Sequence, residues 1–198
     1  MKKEDKYPLF YLIAFILIFI IGAIKPLSFG GWAIESFFSI IIIPFLIITY
    51  KKFRFSNTSY TLILVFLILQ IIGSHYTYSQ VPIGFWLQDL LDLSRNHYDR
   101  IVHFAFGLFL YLPTLELYRK LSNNYSKIFF NYLIVFFIIM AAGAIFEVAE
   151  YLVILTISPD LGSNYLGTQG DHLDPYQDLA LKLISSFILM IYFYYKRR

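Results

Sequence analysis

An all-α, polytopic membrane helical bundle is the fold class predicted for this chain, and three observations predict it. Hydrophobic residues make up 59% of the sequence and charged residues 15%, against roughly 45–50% and about 25% in an average soluble domain. The apolar residues gather into six runs of roughly the 20 residues that a spanning helix needs. Lys and Arg collect at alternate ends of those runs. The 198 residues are used up by spans and short connections, so the whole chain, 1–198, reads as one integral membrane domain.

The six expected spans take the chain in order. The first, 8–24, follows Lys2 and Lys3 like a signal sequence. Ile21-Gly22-Ala23-Ile24-Lys25 is a poor cleavage pattern, so the run reads as a retained span. The second, 32–50, carries Pro44, an expected kink. The third, 60–76, reaches the interface through His75 and Tyr76. The fourth is 98–117, the fifth 128–157 and the sixth 176–195. Between the third and fourth, 85–93 predicts an interfacial amphipathic helix whose Phe85-Trp86 pair suits the headgroup level.

Orientation follows from the basic residues near span ends. Lys2, Lys3 and Lys6 precede the first span, and Lys51, Lys52 and Arg54 lie between the second and third. Arg119, Lys120 and Lys127 lie between the fourth and fifth, and Lys196, Arg197 and Arg198 close the chain. The opposite ends hold Lys25, then Arg95 and Arg100 among acids. Six spans with both termini cytoplasmic satisfy this pattern. The implied address is the bacterial cytoplasmic (inner) membrane, with the lipid bilayer as partner. The net charge of +3 sits in these clusters and forms no continuous basic surface, which argues against nucleic-acid binding. Cysteine is absent, which excludes disulfides, thiolate catalysis and Cys-based zinc sites.

Ionisable residues inside apolar runs are costly unless they pair, bind or react. The densest stretch, Arg95-Asn96-His97-Tyr98-Asp99-Arg100-Ile101-Val102-His103, opens the fourth span on the outer side. The fifth span holds Glu147 and Glu150, three apart and so on one helix face. The sixth opens with Asp174 and Asp178, followed by Lys182, which is placed to neutralise Asp178. Helix rise puts Glu147 about 28 Å from the inner start of its run, Asp178 about 27 Å from Lys196, and His103 about 24 Å from Arg119. Three helices from distant parts of the chain therefore bring Asp99, His103, Glu147, Glu150 and Asp178 to one depth.

That set is the candidate catalytic group, acting as general acid and base. A subset of Asp99, His103, Glu147 and Asp178 suits a divalent metal. Arg95 and Arg100, with His97, Gln169 and Asp171, are candidates for substrate contact, the arginines by paired donors to phosphate. Plainer readings stand beside these. Asp174 before Pro175 is an ordinary helix start, and His172 reads as solvent-facing. Glu35 reads as an acid in a first helical turn, and Glu116 as the partner of Arg119. The whole cluster also reads as solvated caps and salt bridges.

Arg95-Asn96-His97-Tyr98-Asp99-Arg100, then His103-Phe104 and Gly107, Glu147 and Glu150-Tyr151, and Leu166-Gly167-Thr168-Gln169-Gly170-Asp171 with Asp174, Gln177 and Asp178 carry a resemblance. In that order, over nearly the whole chain, they resemble the YjdF family, bacterial inner-membrane proteins of uncharacterised function. Tyr151 and Leu173 stand where members often have Trp, which leaves the ionisable set intact. A weaker resemblance, at Asp99, Arg100, His103 and Phe104, then Glu147 or Glu150 and Asp178, is to VanZ-like membrane proteins. It implies a role in the cell envelope, around lipid-linked polymer handling. An outward-facing site that acts on or binds a lipid or cell-envelope precursor is one expectation. A non-enzymatic lipid, cation or proton site, or a structural protein, is the other. No Gly-x-Ser-x-Gly, His-Glu-x-x-His or Pro-Ser-Gly-His block selects a reaction.

Overall fold

The structure, a computed structural model of the chain, describes residues 6–122, 128–157 and 169–196. Among these residues it is built of helices and contains no strand: α1 (Lys6–Gly22), α2 (Phe29–Glu35), α3 (Phe37–Thr49), α4 (Asn57–His75), α5 (Pro82–Leu91), α6 (Tyr98–Leu121), α7 (Ile128–Ile157) and α8 (Asp174–Lys196). Five stretches are long and apolar enough to cross a membrane: Phe29–Thr49, Asn57–His75, Tyr98–Leu121, Phe129–Val153 and Asp174–Lys196. The first helix, α1, has 17 residues, the lower end of the roughly 17–25 that span a bilayer. Lys2, Lys3, Lys127, Arg197, Arg198 and the Leu166-Gly167-Thr168 part of the second polar block lie outside the described residues.

The contacts give each helix a direction. Tyr11 of α1 meets Thr61 of α4 at 2.7 Å, and the Gly22 carbonyl lies 2.9 Å from His75 Nδ1, so α1 and α4 run parallel. Tyr98 donates to the Leu69 carbonyl and Ser56 N–H to Glu116, so α6 runs antiparallel to α4. Between α6 and α8 the pairs Arg100–Asp174 and Tyr111–Phe193 keep the same order, which makes them parallel. Glu147–Lys182 and Tyr132–Tyr194 make α7 antiparallel to α8. One end of the bundle therefore gathers Lys6, Lys51, Lys52, Arg54, Arg119, Lys120 and Lys196. The other gathers 75–97, the end of α7 and the start of α8.

The second apolar run differs from expectation. It breaks at Ser36 into α2 and α3, and the helix continues through Pro44. Ser36 N–H and the side chain of Ser28 satisfy the short α2 locally, so the chain turns there without leaving orphan donors. The short helix predicted near 85–93 forms as α5, starting at Pro82, where a missing N–H costs nothing. Ile83, Trp86 and Leu90 are exposed on its one outward face. Asp92 ends it in the left-handed region at φ 52°.

The core follows from apolar faces meeting where side chains are small. Gly107 on α6 faces α8 so closely that an added Cβ would sit 2.6 Å from the Lys182 carbonyl and 2.9 Å from Ser186 N. Small residues let backbones approach in this way. Tyr111, Leu115, Tyr132, Val135 and Ile139 fill the basic half of the α6–α7–α8 unit. Phe15, Ile63, Leu67 and Ile71 join α1 to α4. Outward faces remain apolar, with Phe10, Leu17, Ile48, Phe137 and Ile188 exposed. A helix apolar all round is buried in protein or lipid.

Candidate functional site

The site is built where α6 and α8 start and α7 ends, and it has two storeys. Asp99 and His103 lie one turn apart on α6, a spacing that puts both on the face toward α8. Asp178 is in the second turn of α8, and Glu147 is on the long α7. All four are buried, at 5%, 6%, 2% and 8% relative exposure. His103 Nε2 lies 3.1 Å from Asp99 Oδ1 and 3.6 Å from Asp178 Oδ2. Its other nitrogen, Nδ1, faces Glu147 Oε1 at 3.9 Å. Asp178 Oδ1 is buried and accepts no hydrogen bond among the described residues, and Arg100 Nε is 4.0 Å away. One ligand atom each from Asp99, His103 and Asp178 lies within 4.8 Å of the others.

Lys182 is 1% exposed, and its ammonium donates to Glu147 Oε1. A charge at that burial must be paired. The sequence placed Lys182 against Asp178, four residues earlier. The structure pairs it instead across the helix gap with Glu147, because Gly143 leaves room on α7 for its aliphatic stem. A Cβ at Gly143 would meet Lys182 Cδ at 2.9 Å. The rings of Phe106 and Phe146 complete its surroundings, 5.7 and 5.1 Å from the ammonium.

The outer storey ties the mouth of α6 to the mouth of α8. Asp174, 2% exposed, accepts from Arg95 and, at 2.9 Å, from Arg100. It is more than the ordinary helix start its position before Pro175 suggested. Arg100 also reaches Asp171 at 3.1 Å and Gln177. Gln177 donates to Asp171 at 3.0 Å. Gln169 donates to the Asn96 carbonyl at 2.7 Å, which fastens 169–171 to the α5–α6 connection. Both arginines are thus engaged by carboxylates. Asp171 is held below the ordinary carboxylate range, first by the Leu173 N–H and then by the arginines. His97, half-buried, makes no capping bond. Burial, then Arg100 and Arg95, lower its pKa.

Glu150 makes no bond to His103. It lines a cavity of about 210 Å³ that Asp99, His103 and Lys182 also border, with Phe66, Gln70, Tyr78, Phe106 and Phe146 among its other walls. Of the two acids on α7, Glu147 pairs with Lys182 and Glu150 faces the cavity. Tyr78 donates to Gln70. It and Thr77 sit at φ 51° and 54°, a left-handed conformation costing roughly 1–2 kcal/mol per non-glycine residue. Burial pushes the Tyr78 phenol well above its ordinary range, and the charges of Glu35, Asp99 and Glu150 add to it.

Two plain readings change. Glu35 ends α2 rather than opening a helix, and both its carboxylate oxygens are buried without a hydrogen-bond partner among the described residues. Glu116 accepts from Ser56 N–H at 2.9 Å, while Arg119 donates to Tyr132 at 3.0 Å. His172 is exposed as expected. Sequence reasoning missed Tyr78, Gln70 and Asn96. Asn96 is buried, donates to the Val81 carbonyl at 3.0 Å and accepts from Tyr98 N–H at 3.0 Å. Its place in the Arg95–Arg100 block, between two polar neighbours, was the signal for it.

The family described as "Predicted membrane protein (DUF2238)" matches residues 7–198. The chain belongs to that family. Over 161 residues it is 30% identical to the "Inner membrane protein YjdF" of Escherichia coli (strain K12), a match covering 81% of this chain and 76% of that protein. No solved structure matches. With its long apolar helices, the chain is a multi-pass protein of the bacterial cytoplasmic membrane.

Proposed function

We propose that this is a six-span protein whose extracytoplasmic His–carboxylate site binds a divalent cation and, through it, the headgroup of a lipid or lipid-linked envelope precursor. Supporting six spans is the alternation of helix directions, in which α1 runs beside α4 over its length. The end rich in Lys and Arg then faces the cytoplasm, which leaves the site outside. Cysteines introduced singly at Asp92 and Lys52, in a chain that has none of its own, test this. Membrane-impermeant maleimide added to intact cells should label the first and spare the second. Labelling of the second alone would reverse the orientation.

One observation carries the cation reading: Asp99, His103 and Asp178 converge from two helices, with Asp178 Oδ1 buried and unbonded. Ligand atoms around a tetrahedral ion with bonds of roughly 2.0–2.1 Å lie about 3.3 Å apart. The 3.1 and 3.6 Å from His103 Nε2 to the two aspartates bracket that value. Glu147 behind the ring, at 3.9 Å from Nδ1, is positioned to orient the imidazole. Three protein ligands leave a place for water or a substrate oxygen. Asp99, His103 and Asp178 would then hold the ion, Glu147 and Glu150 would be the carboxyl groups left to exchange protons, and Arg95, Arg100, His97, Gln169 and Asp171 would shape the entrance.

Both arginines are already matched by Asp171 and Asp174, which favours recognition through the cation over direct capture of phosphate by free guanidinium groups. The envelope part of the reading draws on the weaker VanZ-like resemblance at Asp99, Arg100, His103 and Phe104. Native mass spectrometry of the purified protein tests the whole: metal and a phosphate-bearing lipid should co-purify, and chelation should release the metal and the lipid held through it. Lipid retained undiminished after the metal is stripped would overturn the link between them.

A further inference from the structure

The cavity beside His103 has one charged end, bordered by Asp99, His103, Glu150 and Lys182. Ile42 of α3 forms one flank, and Ala142 and Phe146 of α7 form the other. These two helices make few close backbone contacts, so a seam lies between them. At about 210 Å³, the space is smaller than the roughly 300–1,000 Å³ of a drug-sized site. It fits a headgroup fragment and the atoms next to it.

The charge in this chamber is unbalanced. Lys182 on its wall is held by Glu147, and His103 by Asp99 and Asp178. Glu150, on the same wall, makes no hydrogen bond or ion pair among the described residues. Tyr78 lines the same chamber. Tyr78 is in turn locked by its bond to Gln70 and its left-handed backbone. An unmatched carboxyl in a low-dielectric chamber is satisfied by holding a proton or by pairing with a cation. An organic ammonium is such a cation and suits the aromatic wall at Phe66, since ring faces attract cations.

We infer that this chamber receives the ammonium headgroup of a bilayer lipid, entering between α3 and α7 and held by Glu150. The inference rests on the reading of the bundle as lipid-handling; Asp99 and His103 border this chamber as well as the cation centre, so lipid and metal are counted separately.

The test uses the full chain in nanodiscs of equal phosphatidylethanolamine and phosphatidylglycerol, with retained lipid counted by native mass spectrometry. Phosphatidylethanolamine should be preferred by about tenfold, the worth of one charge-assisted bond. Glu150→Gln should abolish the preference and Glu150→Asp should keep part of it. Ala142→Phe should narrow the seam and lower retention, and Glu116→Gln, at the far end, should change nothing. Equal retention of the two lipids by the wild-type chain, or a preference unchanged in Glu150→Gln, would overturn the inference. Displacement of the retained lipid by excess free ethanolamine would overturn entry from the bilayer in favour of a soluble amine. Metal content is measured on the same samples. A lipid preference without metal leaves this inference standing and removes the cation centre; metal without a preference does the reverse.

Discussion

Lys182 of α8 and Glu147 of α7 form an ion pair inside the bundle, the lysine 1% exposed and the glutamate 8%. Removing one member of such a pair leaves an uncompensated buried charge, which costs about 3–5 kcal/mol. Lys182→Met should therefore destabilise the protein by that order in thermal unfolding in detergent. Lys182→Met with Glu147→Leu should recover most of the loss, because an apolar pair of similar volume replaces the ionic one. Equal destabilisation in both variants would show that the pair is not the source.

Gly107 and Gly30 make a contrasting pair. A Cβ at Gly107 meets backbone atoms of α8 at 2.6 and 2.9 Å, whereas one at Gly30 meets nothing within 4 Å. Gly107→Ala should cost about 1–3 kcal/mol through overpacking. Gly30→Ala, in a helix facing open space, should be neutral or stabilising by about 0.5–1 kcal/mol. Thermal unfolding of the two variants side by side checks this.

Asp171 gives the pH dependence its sign. Its folded pKa lies below its ordinary value because the Leu173 N–H and the arginines favour the charged form. Its contribution is then complete above the unfolded value of about 3.9 and is lost as pH falls through the lower folded value. The tie between 171 and Arg100 should hold from neutral pH through the ordinary carboxylate range and open only below that range. Limited proteolysis next to His172 across that range reads the opening. Asp171→Asn should be cleaved there even at neutral pH.

Much of this fold is legible in the sequence because membrane helices obey one dominant constraint, length of apolar run, and the basic residues mark their ends. The depth of His103, Glu147 and Asp178 follows from helix rise alone. Rotation about each helix axis does not. Spacing put Glu147 and Glu150 on one face, but only packing reveals that Glu147 meets Lys182 while Glu150 meets the cavity. The break at Ser36 was hidden because Pro44, the stronger local signal, lies inside an intact helix. Tyr78 was hidden as well, since its role depends on a left-handed backbone that a tyrosine seldom adopts.

The site's central claim is that Asp99, His103 and Asp178 hold a divalent ion, and metal analysis of the purified protein tests it most directly. After exposure to Zn²⁺ or Mn²⁺ and removal of excess, elemental mass spectrometry should find one ion per wild-type chain. His103→Ala and Asp178→Asn should each lose it, with Glu147→Gln weakening binding by roughly 10–100-fold as a residue that orients the ligand. A wild-type chain that takes up no metal, or a His103→Ala chain that keeps its full complement, would contradict the account.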